Sequence, residues 1–266
     1  MTRIERSSAG APSYRPSWGV QAACWILRQL AGGYLRVEVA GREHIPRQGG
    51  LIIACNHPNL LDGLLLQAFS PRPVRFLVAE ELFFHRHLHR LFFAFGCIPV
   101  YRTRSSNGDA LRAALAALEQ GDVIGIFPEG TTAFRGSMER LRRGVALLAV
   151  KTGAAVVPMA IAGTFEAYPP GQRVPRPSVV RMRFAAPVAY PRETVPRVPD
   201  ERVHAVLADI RSNILQVMRA LAQTPSARKL EWLKGLSVAA SALVVWPLAN
   251  LLVATANPSL DPHEGG

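Results

Sequence analysis

Short apolar runs at residues 51–55, 74–79, 123–127, 156–161 and 179–184 alternate along this chain with segments patterned as helices. A strand buried on both faces reads as a continuous apolar run of four to eight residues. An amphipathic helix instead repeats its apolar positions every three or four residues. Helical spacing marks 64–69, 80–95, 110–120, 141–152 and 202–222. In the last of these, Val203, Val206, Leu207, Ile210, Ile214, Val217 and Leu221 recur at that period. A further strand lies between residue 37 and the turn at 46–50, whose Pro, Gln and two Gly break regular structure. Strands alternating with helices specify an α/β architecture. No internal repeat is visible.

The ends of the chain have a different composition. Residues 1–16, rich in Ser, Gly, Pro and Arg, read as loose, and they lack the apolar core and small-residue cleavage site of an export signal. Residues 18–35 carry Trp18 and Trp25 on an amphipathic helical pattern suited to a lipid headgroup interface, with Arg28 near the middle opposing a simple membrane span. Residues 235–254 contain no formal charge, which is long enough for a helix to cross a hydrocarbon layer, although Pro247 interrupts the run. Arg228, Lys229 and Lys234 precede it, so the positive-inside rule places the main domain on the cytoplasmic side of the cytoplasmic membrane. The expected organisation is an N-terminal membrane-interface segment (1–36), one domain (37–225), and a basic linker with an apolar anchor-like segment (226–266).

The net charge of +12 is almost wholly arginine, with Lys151, Lys229 and Lys234 the only lysines. Guanidinium forks suit phosphate, so acidic lipids or phosphorylated substrates are candidate partners. Nucleic acid is not expected, because no recognition-helix pattern or interleaved basic and aromatic run is present. Cys24, Cys55 and Cys97 sit in apolar surroundings without paired spacing and read as buried thiols. No metal site is expected either. His85 and His89 fall one helical turn apart on a single helix over 80–95, but no third ligand accompanies them and Arg86 and Arg90 would repel a cation.

The chemistry concentrates after the run at 51–55, in Asn56-His57-Pro58-Asn59-Leu60-Leu61-Asp62-Gly63. A histidine and an aspartate five positions apart at a strand mouth can act as a base and its orienting carboxylate. No serine or cysteine nearby is well placed as a nucleophile, which points to a hydroxyl supplied by the substrate. Two further strand ends carry polar or turn residues: Gly96-Cys97-Ile98-Pro99-Val100-Tyr101-Arg102, and Ile124 through Phe127-Pro128-Glu129-Gly130-Thr131-Thr132.

With Val156-Val157-Pro158 as a fourth block, these ordered motifs resemble the glycerolipid acyltransferases of the lysophosphatidate acyltransferase type. The resemblance covers about residues 38–190. It implies a mixed sheet flanked by helices, with transfer of a fatty acyl group from a thioester to a lysophospholipid hydroxyl in phospholipid biosynthesis. No cofactor is implied; the co-substrate would be acyl-CoA or acyl carrier protein. His57 would be the general base and Asp62 its partner. Arg102, Phe127, Pro128, Glu129, Gly130 and Thr131 would bind substrate, Arg102 through an acidic head group and Glu129 through a hydroxyl or a neighbouring arginine. The chain departs from the family where many members have an arginine after the threonine: here Thr132 stands, and Arg135 or the pair Arg142 and Arg143 are substitutes. That departure leaves a larger head group or a lyso-aminolipid open as acceptor. A non-catalytic lipid-binding protein on the same fold is the alternative.

Overall fold

The computed structural model describes residues 14–86, 88–101, 108–130, 138, 140–172 and 174–223. The expected sites Arg102 and Thr131, the arginine at 135 and the apolar segment at 235–254 lie outside them.

Among the described residues, seven strands form one sheet: β1 (Arg36–Ala40), β2 (Leu51–Cys55), β3 (Val74–Ala79), β4 (Ile98–Val100), β5 (Val123–Ile126), β6 (Ala155–Ala162) and β7 (Val179–Phe184). Their order across the sheet is β1-β7-β6-β2-β5-β3-β4. Strands β2 to β6 are mutually parallel, β7 joins β6 antiparallel, and β1 pairs with β7 in parallel. The sheet is therefore mixed.

Every residue of β2 is buried, which is why its sequence is a continuous apolar run rather than an alternation. Leu51, Ile53 and Cys55 face a core shared with α1 (Trp18–Tyr34), α2 (Leu61–Phe69) and α7 (Thr164–Ala167). Ile52 and Ala54 face a second core built with α5 (Gly108–Glu119), α6 (Gly144–Thr152) and α8 (Asp200–Gln223). Six residues of α8, from Val203 to Leu221, are buried in a single stripe. Each such side chain contributes about 1.5–3 kcal/mol relative to exposure.

Three boundaries differ from the sequence pattern. Helix α2 starts at Leu61, not 64, because Asn59 Oδ1 accepts the Leu61 amide (3.0 Å) and opens the helix early. Helix α6 starts at Gly144, not 141, because the Arg142 amide is committed to Pro128 O (2.7 Å). The helix expected over 80–95 is two pieces, α3 (Glu80–Phe83) and α4 (His89–Ala94). Phe83 and Leu88 are both buried. Positions five apart lie about 140° apart on a continuous helix, so one helix could not turn both inward. His85 thus falls in the connection rather than on a helix with His89.

The stretch read as loose through residue 16 is held at Tyr14. Its amide donates to Asp122 Oδ1 (2.8 Å) and its hydroxyl to Ala94 O. The buried Asp122 also accepts from Arg75 Nη1 (2.7 Å), whose Nε donates to Gly96 O (2.7 Å). Helix α1 then runs over the first core, burying Ala31 and Tyr34, while Trp18 and Trp25 remain 83% and 63% exposed. Among the described residues, no helix is long and apolar enough to cross a membrane.

Candidate active site

The site lies at the carboxyl ends of β2, β5 and β6. Strand β2 leads through α2 to β3, and its neighbour β5 leads through α6 to β6 on the opposite side of β2. Helices α2 and α6 lie on opposite faces. Open α/β sheets leave a crevice where adjacent connections diverge in this way.

Asn56, buried just past β2, extends the pairing with β6 through its side chain. Its Nδ2 donates to Ile161 O (2.9 Å) and its Oδ1 accepts from Ile161 N (2.9 Å). This fixes where His57 leaves the sheet. The loop then closes on Asn59, whose Nδ2 donates to Tyr168 O and whose backbone N–H donates to Asp62 Oδ2 (2.7 Å). Asp62 therefore enters the first turn of α2 already held, where the helix dipole also favours its charge.

His57 Nδ1 lies 2.9 Å from Asp62 Oδ2. An ionised carboxylate only accepts, so Nδ1 carries the proton and Nε2 is left with its lone pair. The imidazole face stacks on Phe127 (centroids 4.0 Å apart, planes 16°), and Phe127 stacks in turn on Phe76 (5.8 Å). Asp62 thus fixes the ring edge and Phe127 its plane. The Asp62 side chain is 1% exposed and that of His57 16%.

Burial pushes the Asp62 carboxyl above its ordinary range, opposed by the contacts with His57 and by the nearby Thr164 hydroxyl. That hydroxyl lacks the geometry of a formed hydrogen bond. Among the described residues, Asp62 Oδ1 and Thr164 Oγ1 are both buried with no hydrogen-bond partner. Glu129 is also raised by burial, opposed by the His57 backbone N–H, which donates to its Oε1 (3.3 Å). Burial lifts the Cys55 thiol well above its usual value, with Asp62 and Glu129 adding to the effect. Cys55 is therefore a core thiol rather than a ready nucleophile.

The structure brings together His57, Asp62, Phe127, Pro128, Glu129 and Gly130. Glu129 is engaged by the His57 backbone, a partner that the sequence does not reveal. Gly130 has φ +74°, and the Arg142 side chain lies against it. Asn56, Asn59 and Thr164 were not readable as site residues. An Asn three positions before Asp62 is a turn signal, but the contacts to Ile161 and Tyr168 reach across more than a hundred residues.

An open α/β sheet with a partly exposed histidine held by a buried carboxylate at its strand ends defines a class built for proton transfer to or from a bound substrate. A family model described as Acyltransferase matches residues 36–162, from β1 through β6. The chain is 29% identical over 140 residues to 1-acyl-sn-glycerol-3-phosphate acyltransferase of Bacillus subtilis, covering 52% of this chain and 67% of that protein. It is 29% identical over 191 residues to 1-acyl-sn-glycerol-3-phosphate acyltransferase alpha of Homo sapiens, covering 70% and 65%. Its fold matches the crystal structure of the 1-acyl-sn-glycerophosphate (LPA) acyltransferase PlsC from Thermotoga maritima with a TM-score of 0.61 at 23% identity, over 78% of this chain and 81% of that one. The matches thus span about two thirds of these curated relatives. The residues that match the acyltransferase family are thus 36–162, which hold β1 through β6 and the pair His57 and Asp62.

Proposed function

We propose that this protein transfers a fatty acyl group from a thioester, acyl-CoA or acyl carrier protein, to the hydroxyl of a lysophospholipid such as lysophosphatidate, in phospholipid biosynthesis. The observation that carries this reading is the oriented pair His57 and Asp62 beside a fully buried thiol, Cys55, whose ionisation burial opposes. With no nucleophile in place among the described residues, the site suits direct transfer. His57 Nε2 takes the acceptor hydroxyl proton as that oxygen attacks the thioester carbonyl. Asp62 holds Nδ1 and offsets the charge the ring gains. The carbon–sulfur bond then breaks, and the thiolate takes the proton back from His57, giving an ester and a free thiol. Restricting water matters, because an open site would hydrolyse the thioester.

Trp18 and Trp25 present indoles to solvent on the outer side of α1, whose inner side packs on the domain through Ala31 and Tyr34, which supports a role at the headgroup layer. In this reading the uncharged segment at 235–254 adds a membrane anchor, with the domain on the cytoplasmic side.

The test is thiol release from a long-chain acyl-CoA across a panel of lysolipids, with wild type and His57→Ala. Acceptor-dependent release that the variant loses is the expected result. Release equal in both proteins, or none with either a CoA or a carrier-protein donor, would leave the fold serving as a lipid binder.

A further inference from the structure

The described site has an unbalanced charge. Asp62 and Glu129 both stand beside His57, so an anionic acceptor would approach two carboxyl groups. A cation must sit close by for such an acceptor to bind rather than be repelled. Positions 131 and 132, directly after Gly130, are threonines and supply none.

Arg142 meets that need from a distant point in the chain. Its backbone N–H donates to Pro128 O (2.7 Å), pinning it to the turn at Pro128–Gly130. Its side chain crosses Gly130 so closely that a Cβ there would lie 2.6 Å from Nε and 3.0 Å from Cγ. Gly130 follows Glu129, whose carboxylate accepts the His57 amide, so the guanidinium stem lies against the residue next to the one that holds the His57 backbone. The neighbouring Arg143 is already paired with Asp200. Arg142 is exposed and has no acidic partner among the described residues. A guanidinium in that position can present two parallel N–H donors to phosphate oxygens.

We propose that Arg142 binds a phosphate-bearing head group on the acyl acceptor, and so selects for charged over neutral acceptors. This rests on the acyl-transfer reading, but the two can fail separately. The measurement is kcat/KM for lysophosphatidate against that for a monoacylglycerol of the same chain, in wild type, Arg142→Gln and Arg142→Lys. The ratio should fall about tenfold or more in Arg142→Gln, mainly through KM for lysophosphatidate, and recover in part in Arg142→Lys, which keeps the charge without the fork. A ratio equal to that of wild type in Arg142→Gln overturns the proposal, as does an equal loss on both acceptors. A binding measurement covers the case of an inactive wild type. sn-Glycerol 3-phosphate should raise the melting temperature of His57→Ala and fail to do so when Arg142→Gln is added. A shift that survives the second change, or no shift in His57→Ala, also overturns it.

Discussion

Asn56 and Ile161 exchange two hydrogen bonds of 2.9 Å, one in each direction, across 105 residues. A side-chain amide here stands in for a backbone peptide, so β2 and β6 stay paired one position beyond where β2 ends. His57 is the next residue, and its position is inherited from that clamp. Replacing Asn56 by Ala leaves the Ile161 N–H and C=O buried without partners. The expected cost is about 2–4 kcal/mol of stability, from two lost bonds and the desolvation of the orphaned groups. Urea unfolding checks this, with acyl transfer measured well below the melting temperature. Activity should fall by more than the unfolded fraction explains. A loss equal to that fraction would show that the clamp stabilises the fold without aiming the histidine.

Asp62→Asn should separate activity from stability. The asparagine oxygen can keep the Asn59 amide, and its NH2 can reach the unpartnered Thr164 hydroxyl, but the negative charge opposite His57 is gone. Loss of that charge and of the enforced tautomer is expected to lower acyl transfer by about 10³-fold or more. The stability effect has the opposite sign. Burial holds the folded Asp62 carboxyl above its ordinary 3.8, so the folded state favours the protonated acid. The stability from this group is complete below the unfolded value and is lost as pH rises through the folded one. Asn does not titrate. The melting temperature of the variant minus that of wild type should therefore grow across this interval and be larger at pH 7 than at pH 4. A His57→Gln background removes the coupling to the imidazole. A difference that shrinks towards pH 7 in that background would contradict the assigned direction.

Much of this was legible because it is local. The burial of β2 on both faces shows in its five apolar residues, and the spacing of His57 and Asp62 sets them beside each other once the loop closes. The breaks at Phe83–Leu88 and at Arg142 were not legible, since each depends on what another segment already holds: the core in one case, Pro128 O in the other. Thr164 was hidden for the same reason. It lies between Ile161, clamped by Asn56, and Tyr168, clamped by Asn59, so only the assembled sheet sets it beside Asp62. Tyr14 looked like part of a loose tail because its partners, Asp122 and Ala94, are each at least 80 residues away.

The exposed indoles of α1 predict where the protein meets a lipid surface. Trp18 and Trp25 are largely solvent-accessible, so changing both to Ser should alter stability by only about 0.5 kcal/mol each. Seating an indole among headgroups recovers a good part of the roughly 1.5–3 kcal/mol of a buried large apolar side chain. Sedimentation with anionic vesicles should therefore show binding reduced about tenfold or more by the double change. A comparison with deletion of residues 235–266 ranks the two contacts. Undiminished vesicle binding by the double variant would assign attachment elsewhere.

Thr164→Val tests whether the hydroxyl beside Asp62 serves the site or merely fills space. Valine has nearly the same shape, and the hydroxyl it removes is buried without a hydrogen-bond partner among the described residues, so the packing contribution to stability should hold or rise. The electrostatic consequence runs the other way. Even without a formed hydrogen bond, the Thr164 hydroxyl dipole beside Asp62 favours its ionised form against the effect of burial, and its removal should raise the Asp62 pKa further. Acyl transfer in the proposed mechanism needs Asp62 ionised, so the acid limb of the kcat/KM profile should move to higher pH in Thr164→Val. Thr164→Ser, which keeps the hydroxyl, should restore the wild-type limb. A structural role alone would lower activity by the same factor at every pH, and serine would not move the limb back.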